Sequence, residues 1–171
     1  MSNLPLDELR DQFQRDGDLI DLYVDSASTE GWQAVIDLIR STWEYSYQED
    51  GTTVEMPVAA SDVFLKSGDV SVTFGFELRD DLWVSAYFFA TEWFELTLDP
   101  AEIQSQDALD AIVALMVQVA GLLNQPAMLT LESDPELAFL VYDPTDATLF
   151  TPAPPVSDDE KPEPEPEPLA D

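Results

Sequence analysis

Residues 70–98 read VSVTFGFELRDDLWVSAYFFATEWFELTL. Val70, Val72, Phe74, Phe76 and Leu78 alternate with small or polar residues. Successive side chains of a strand point to opposite faces, so one apolar phase at period two marks a strand buried on one side. Arg79-Asp80-Asp81 predicts a turn into a second strand over 82–89, and Ala90-Thr91-Glu92 a turn into a third over 93–98. Strands joined by such short turns form an antiparallel meander. Its phase places Phe74, Phe76, Leu78, Leu82, Val84, Phe88, Phe94, Leu96 and Leu98 on the core side. Glu77, Trp83, Tyr87, Phe89, Trp93, Glu95 and Thr97 fall on the other. This division holds for an unbulged ladder, because one extra residue exchanges the faces.

Upstream, residues 5–15 predict a short helix, with Pro5 in its first turn and Leu6, Leu9 and Phe13 on one side. Residues 18–25 (DLIDLYVD) predict a strand. Ser28 is the expected cap of a helix whose inner stripe is Trp32, Val35, Ile36 and Ile39. Trp43, Tyr45 and Tyr47 then alternate with polar residues, and Glu49-Asp50-Gly51 predicts a hairpin returning through Val54 and Met56. One helical turn is expected at 61–65.

Downstream, Ser105 is placed to cap a helix over 106–123, with Asp107 in its first turn. That helix is apolar nearly all round, which predicts burial from more than one side, under the rest of the chain or under a second copy. Pro126 stops it, and two strands are expected at 127–132 and 136–142. The sum is an α+β domain over 18–150: a mostly antiparallel sheet of seven to eight strands with two main helices packed on it. Residues 1–17 form an N-terminal segment. Residues 151–171 form an acidic tail, in which KPEPEPEPL (161–169) predicts an extended, disordered chain.

The chain has 171 residues, 36 acidic against 6 basic, and a formal charge of -30. The tail from Ser157 holds seven acids and one lysine, so about -24 belongs to the body. Apolar content of 45% is enough for a real core, unlike that of acidic disordered chains. The first residues lack a basic start and an apolar run, and the longest uncharged apolar stretch, 111–123, is short for a bilayer. These features predict a soluble, cytoplasmic protein.

With no histidine and no cysteine, imidazole bases, thiolate nucleophiles and the usual zinc ligands are all missing. Only two lysines are present and the glycines are scattered singly, which argues against Schiff-base chemistry and phosphate cradles. Carboxylates are plentiful, but no pair stands out for two-carboxylate catalysis. Asp16-Gly17-Asp18 with Asp21 offers oxygen ligands without the spacing of a calcium loop. No enzyme activity, cofactor or metal is therefore expected.

Direct nucleic-acid binding and anionic membranes are disfavoured, because both need Lys and Arg. A basic protein is the favoured partner, since a one-signed field speeds encounter with the opposite sign. Aromatic anchors among carboxylates suit such a surface. The candidate contact residues are Glu77, Asp80, Asp81, Trp83, Tyr87, Trp93 and Glu95. Residues 88–144 (FFATEWFELTLDPAEIQSQDALDAIVALMVQVAGLLNQPAMLTLESDPELAFLVYDP) give the chain a form that resembles small acidic α/β bacterial immunity proteins. That resemblance implies a non-catalytic inhibitor covering the active cleft of a basic toxin or nuclease, and it brings no site residues with it. The alternatives are a DNA mimic of the anti-restriction type, a secretion-chaperone-like module, and a domain whose acidity reflects an acidic proteome. The expected state is a monomer, or a homodimer through helix 106–123.

Overall fold

A computed structural model describes residues 4–13, 18–132 and 134–153. The disorder expected of the acidic tail concerns mostly residues 154–171, outside that range. In chain order the elements are α1 (Leu6–Phe13), β1 (Ile20–Val24), α2 (Thr29–Thr42), β2 (Tyr45–Glu49), β3 (Thr52–Thr53), α3 (Ala60–Ser67), β4 (Val72–Arg79), β5 (Leu82–Ala86), β6 (Phe94–Leu98), α4 (Gln106–Leu123), β7 (Ala127–Leu131), β8 (Asp134–Asp143) and β9 (Thr148–Phe150). The strands form one antiparallel sheet of order β3-β2-β4-β5-β6-β1-β7-β8-β9.

Local chemistry sets the helix ends. The Ser28 hydroxyl accepts from the Gly31 amide at 3.1 Å, and that of Ser105 from the Ala108 amide at 3.2 Å. Each satisfies one of the donors that a helix start leaves free. Asn124 closes α4 in the left-handed conformation, which asparagine tolerates better than most residues. At the start of α2, Gly31 leaves room for α4: a Cβ there would lie 2.6 Å from Leu123 Cδ2, and that side chain would have to shift.

The inward phase of the strands and the inner stripes of all four helices make one core. Ile20, Leu22 and Val24 of β1, Phe74 and Phe76 of β4, Val84 of β5, and Phe94, Leu96 and Leu98 of β6 are all buried in it. The helices therefore cover one face of the sheet, and no described helix covers the other. Trp32 organises the middle of the core. Its ring centroid lies 4.4 Å from that of Phe94, 5.1 Å from Phe88 and 5.4 Å from Phe64.

The sheet has nine strands rather than seven or eight. The addition is β9, where a turn through Ala147 at positive φ folds the chain back on β8 after its apolar period has ended. The helical turn expected at 61–65 is a full helix, α3. Strand β3 stops at Thr53, short of Val54 and Met56, and β5 stops at Ala86 instead of Phe89. Helix α4 has the bounds expected of it, but only one side is buried. Leu109, Ile112, Met116 and Val119 face the core, while Ala114, Val117, Gly121 and Leu122 are exposed. Among the described residues α4 is the one helix long and apolar enough to cross a membrane by length and composition. Its inner face is built into the core of this domain.

Candidate docking face

The uncovered sheet face is assembled by register. Glu77 pairs opposite Trp83, and on the central strands Tyr23 pairs opposite Glu95 while Asp21 pairs opposite both Thr97 and Thr130. All of these alternate with core residues, so all lie on the uncovered side, where Asp21, Thr97 and Thr130 at its centre are buried between their larger neighbours while Glu77 and Trp83 are exposed. A bulge between Glu77 and Arg79 adds a residue after Glu77, leaving the expected faces of β4 up to Glu77 and of β5 and β6 in place. It puts Arg79 opposite the inward Leu82, on the helical side.

Cations are distributed unevenly as a result. Arg10 pairs with Asp7 on α1, Arg40 with Asp37 on α2, and Lys66 of α3 with Glu49. With Arg79 on the helical side too, no described Lys or Arg rises from the uncovered face. Glu77 stands there opposite the exposed Trp83, Glu95 opposite the half-buried Tyr23, and Glu132 follows the end of β7. The Asp21 carboxylate is buried and accepts from the Thr97 hydroxyl at 2.9 Å.

Trp83 is 42% exposed and its indole lies flat on Gly75 of the next strand. A Cβ on Gly75 would sit 2.6 Å from Nε1 and 2.8 Å from two ring carbons. The backbone beneath the ring is held as well, since the Trp83 amide donates to Glu102 Oε2 at 2.7 Å. Gly75→Ala is expected to push the indole off the face. The Trp83 indole N–H resonance should move, while those of the other three tryptophans stay in place. An unchanged spectrum would show that the ring rests elsewhere.

Burial is the main reason the Glu95 carboxyl is pushed up from 4.5 to about 7, with Asp21 and Glu132 adding like-charge repulsion. Burial also raises the Tyr23 phenol, helped by Asp25 and Glu95. A carboxyl whose folded pKa lies above its unfolded value binds more protons in the native state. Its contribution is therefore favourable at low pH and is lost as pH rises from about 4.5 to about 7. Discounted for solvent screening of a side chain that is only partly buried, the effect is on the order of 1 kcal/mol. Glu95→Gln should flatten the fall in melting temperature over that interval and stabilise the protein at pH 8. A pH profile identical to that of the parent would contradict this.

The remaining expected residues lie at the two ends of the meander. Asp80 and Asp81 form the β4–β5 turn, with Asp81 at φ 63°, and line a hollow of about 560 Å³ with Arg79, Glu102, Gln104 and Ser105. Tyr87 and Trp93 lie in the β5–β6 loop, where the Tyr87 ring stacks on Phe89 at 5.8 Å. That loop is pinned from behind: Trp32 Nε1 donates to the Trp93 carbonyl at 3.0 Å, and the Ala27 amide to the Glu92 carbonyl at 2.7 Å. The structure thus brings Glu77, Trp83 and Glu95 onto one face, flanked by the loop aromatics at one end and by the turn acids at the other.

Asp21, Tyr23 and Glu132 join this face without having been expected there. The alternation in DLIDLYVD carries a signal for Asp21 and Tyr23, because Ile20, Leu22 and Val24 occupy the other phase. Among the described residues no group of three or more acidic side chains is arranged to hold a metal ion. Asp16 and Gly17, considered above for calcium, lie outside the described residues. No protein-family model matches the chain, and no curated protein or solved structure is significantly similar to it.

Proposed function

We propose that this chain is a non-catalytic binding module of the inhibitor or immunity type, whose uncovered sheet face closes over the cationic cleft of a basic toxin or nuclease. The observation that carries this reading is a half-exposed indole, Trp83, beside Glu77 and on the same sheet face as Glu95 and Glu132, with no described cation rising from that face. A nuclease cleft must be positive to hold phosphate, so an acidic surface with aromatic anchors complements it. Glu95 supports the same reading. Its partial burial beside two other carboxylates costs the free protein stability at neutral pH, and a partner's ammonium or guanidinium would relieve that cost. Residues that break a local rule in this way are characteristic of binding sites.

The test is capture from an extract of the native host on the immobilised full chain, followed by a salt step. The expected product is one basic protein, released by roughly 0.5 M salt as the charges are screened. Its nucleolytic or toxic activity should be suppressed at one-to-one stoichiometry. Capture of several unrelated DNA-binding proteins would replace this reading with DNA mimicry. Capture of nothing basic would reject both.

A further inference from the structure

We propose that the outer face of α4 is a self-association surface on which a second copy of this chain docks. The inner side of α4 fills the core, and its outer side, which exposes Asp107 and Asp110 in the first turns, is uncharged beyond them, with Gln118 the one polar side chain exposed there before the helix ends. Val117 and Leu122 are 38% and 46% exposed, and Ala114 and Gly121 lie on the same stripe. From Ala111 to Gln125 the chain carries no charge at all. The neighbouring helices are different: α1 exposes Asp7, Glu8 and Asp11, and α2 exposes Glu30 and Asp37.

Gly121 points the same way. It sits in a helix, where glycine is the poorest former after proline. No atom lies within 4 Å of where its Cβ would be, so nothing inside this chain requires the missing side chain. A glycine there suits the close approach of another backbone, as between packed helices.

Charge selects the occupant. A basic partner gains no ion pair on an uncharged strip. An anionic lipid surface is repelled by a chain of net charge -30. A second copy brings a matching uncharged strip, so over 111–125 two such chains can meet without setting carboxylate against carboxylate. A two-fold contact of this kind is self-complementary. It sets the helical layers back to back, so the two uncovered sheet faces point outward on opposite sides. The dimer is then bivalent, and the interface stands whether or not those faces bind a basic protein.

The acidic rims of α1 and α2 still repel across this contact, so dimerisation strengthens as salt screens them. Docking of a basic partner has the opposite salt dependence. Light scattering on the full chain, in about 0.05 M and about 0.5 M salt, should give twice the 19.0 kDa chain mass at the higher concentration. Val117→Glu with Leu122→Glu should give a single-chain mass in both. Gly121→Leu, which fills the open space without adding charge, should weaken the dimer at least tenfold and leave the monomer's melting temperature unchanged or raised. A single-chain mass for the parent at both salts would overturn the proposal, as would a dimer that survives both variants. Flotation of the parent chain with neutral phosphatidylcholine vesicles would instead assign the strip to a bilayer.

Discussion

Trp32→Ala is expected to remove about 3–5 kcal/mol of folding stability, the range for truncating a fully buried large aromatic. Trp32 is 1% exposed and touches three phenylalanines from three different elements: Phe64 of α3, Phe88 of the β5–β6 loop and Phe94 of β6. Alanine leaves a cavity at that junction and also strips the Trp93 carbonyl of its indole donor. Trp32→Phe separates the two terms. It keeps most of the buried ring but loses the hydrogen bond, for a cost of about 1–2 kcal/mol. Both variants should speed amide exchange in residues 87–93, because the same indole pins that loop. Chemical denaturation and hydrogen exchange measure the two effects together. A loss below about 1 kcal/mol for Trp32→Ala, well under the range for a buried aromatic, would mean that the aromatic cluster does not hold the helices to the sheet.

The second large effect falls on binding. Trp83→Ala combined with Glu95→Lys is expected to weaken association with the basic partner at least about a hundredfold, since a truncated aromatic anchor alone costs 2 kcal/mol or more at a hot spot. The charge reversal adds repulsion and slows encounter. Folding should suffer far less. Trp83 is 42% exposed and its indole rests on Gly75 rather than in the core, and a lysine at position 95 can extend its ammonium into water. The melting temperature should drop by only a few degrees, the shift expected for about 1 kcal/mol in a domain of this size. The two single variants are needed beside the double one, because residues that share a face do not contribute additively. Affinity kept within threefold would move the docking site elsewhere. Failure of the double variant to fold would make these positions structural.

The meander was legible because an antiparallel sheet covered on one side writes its faces into the sequence at period two. Phe74, Phe76, Val84, Phe94 and Leu96 lie in the core, and Trp83 and Glu95 project from the other side. What could not be read was pairing between distant segments. Strand β1 inserts between β6 and β7, which brings Asp21 against Thr97, 76 positions away, and Glu95 against Tyr23. Nothing within 18–25 specifies that neighbour, so the central acidic part of the face was missed although its alternation was visible. Strand β5 ends early because Phe88 turns in against Trp32 and Phe64, and its carbonyl lies 3.0 Å from the Ser67 hydroxyl instead of joining the ladder. Strand β9 is three residues long, too short for any period to show. The all-round apolar character of α4 was plain in the sequence, whereas its open outer side depends on where α1 and α2 pack.

The most direct test of the central claim is the slope of log Kd against log salt for the captured partner, measured on the parent chain at pH 8. A carboxylate face that meets a cationic cleft predicts affinity falling steeply with salt. The slope should become shallower in Glu95→Gln, which keeps the shape and removes one charge. Affinity that is flat or rising with salt, with the same slope in Glu95→Gln, would contradict a docking surface built from these carboxylates.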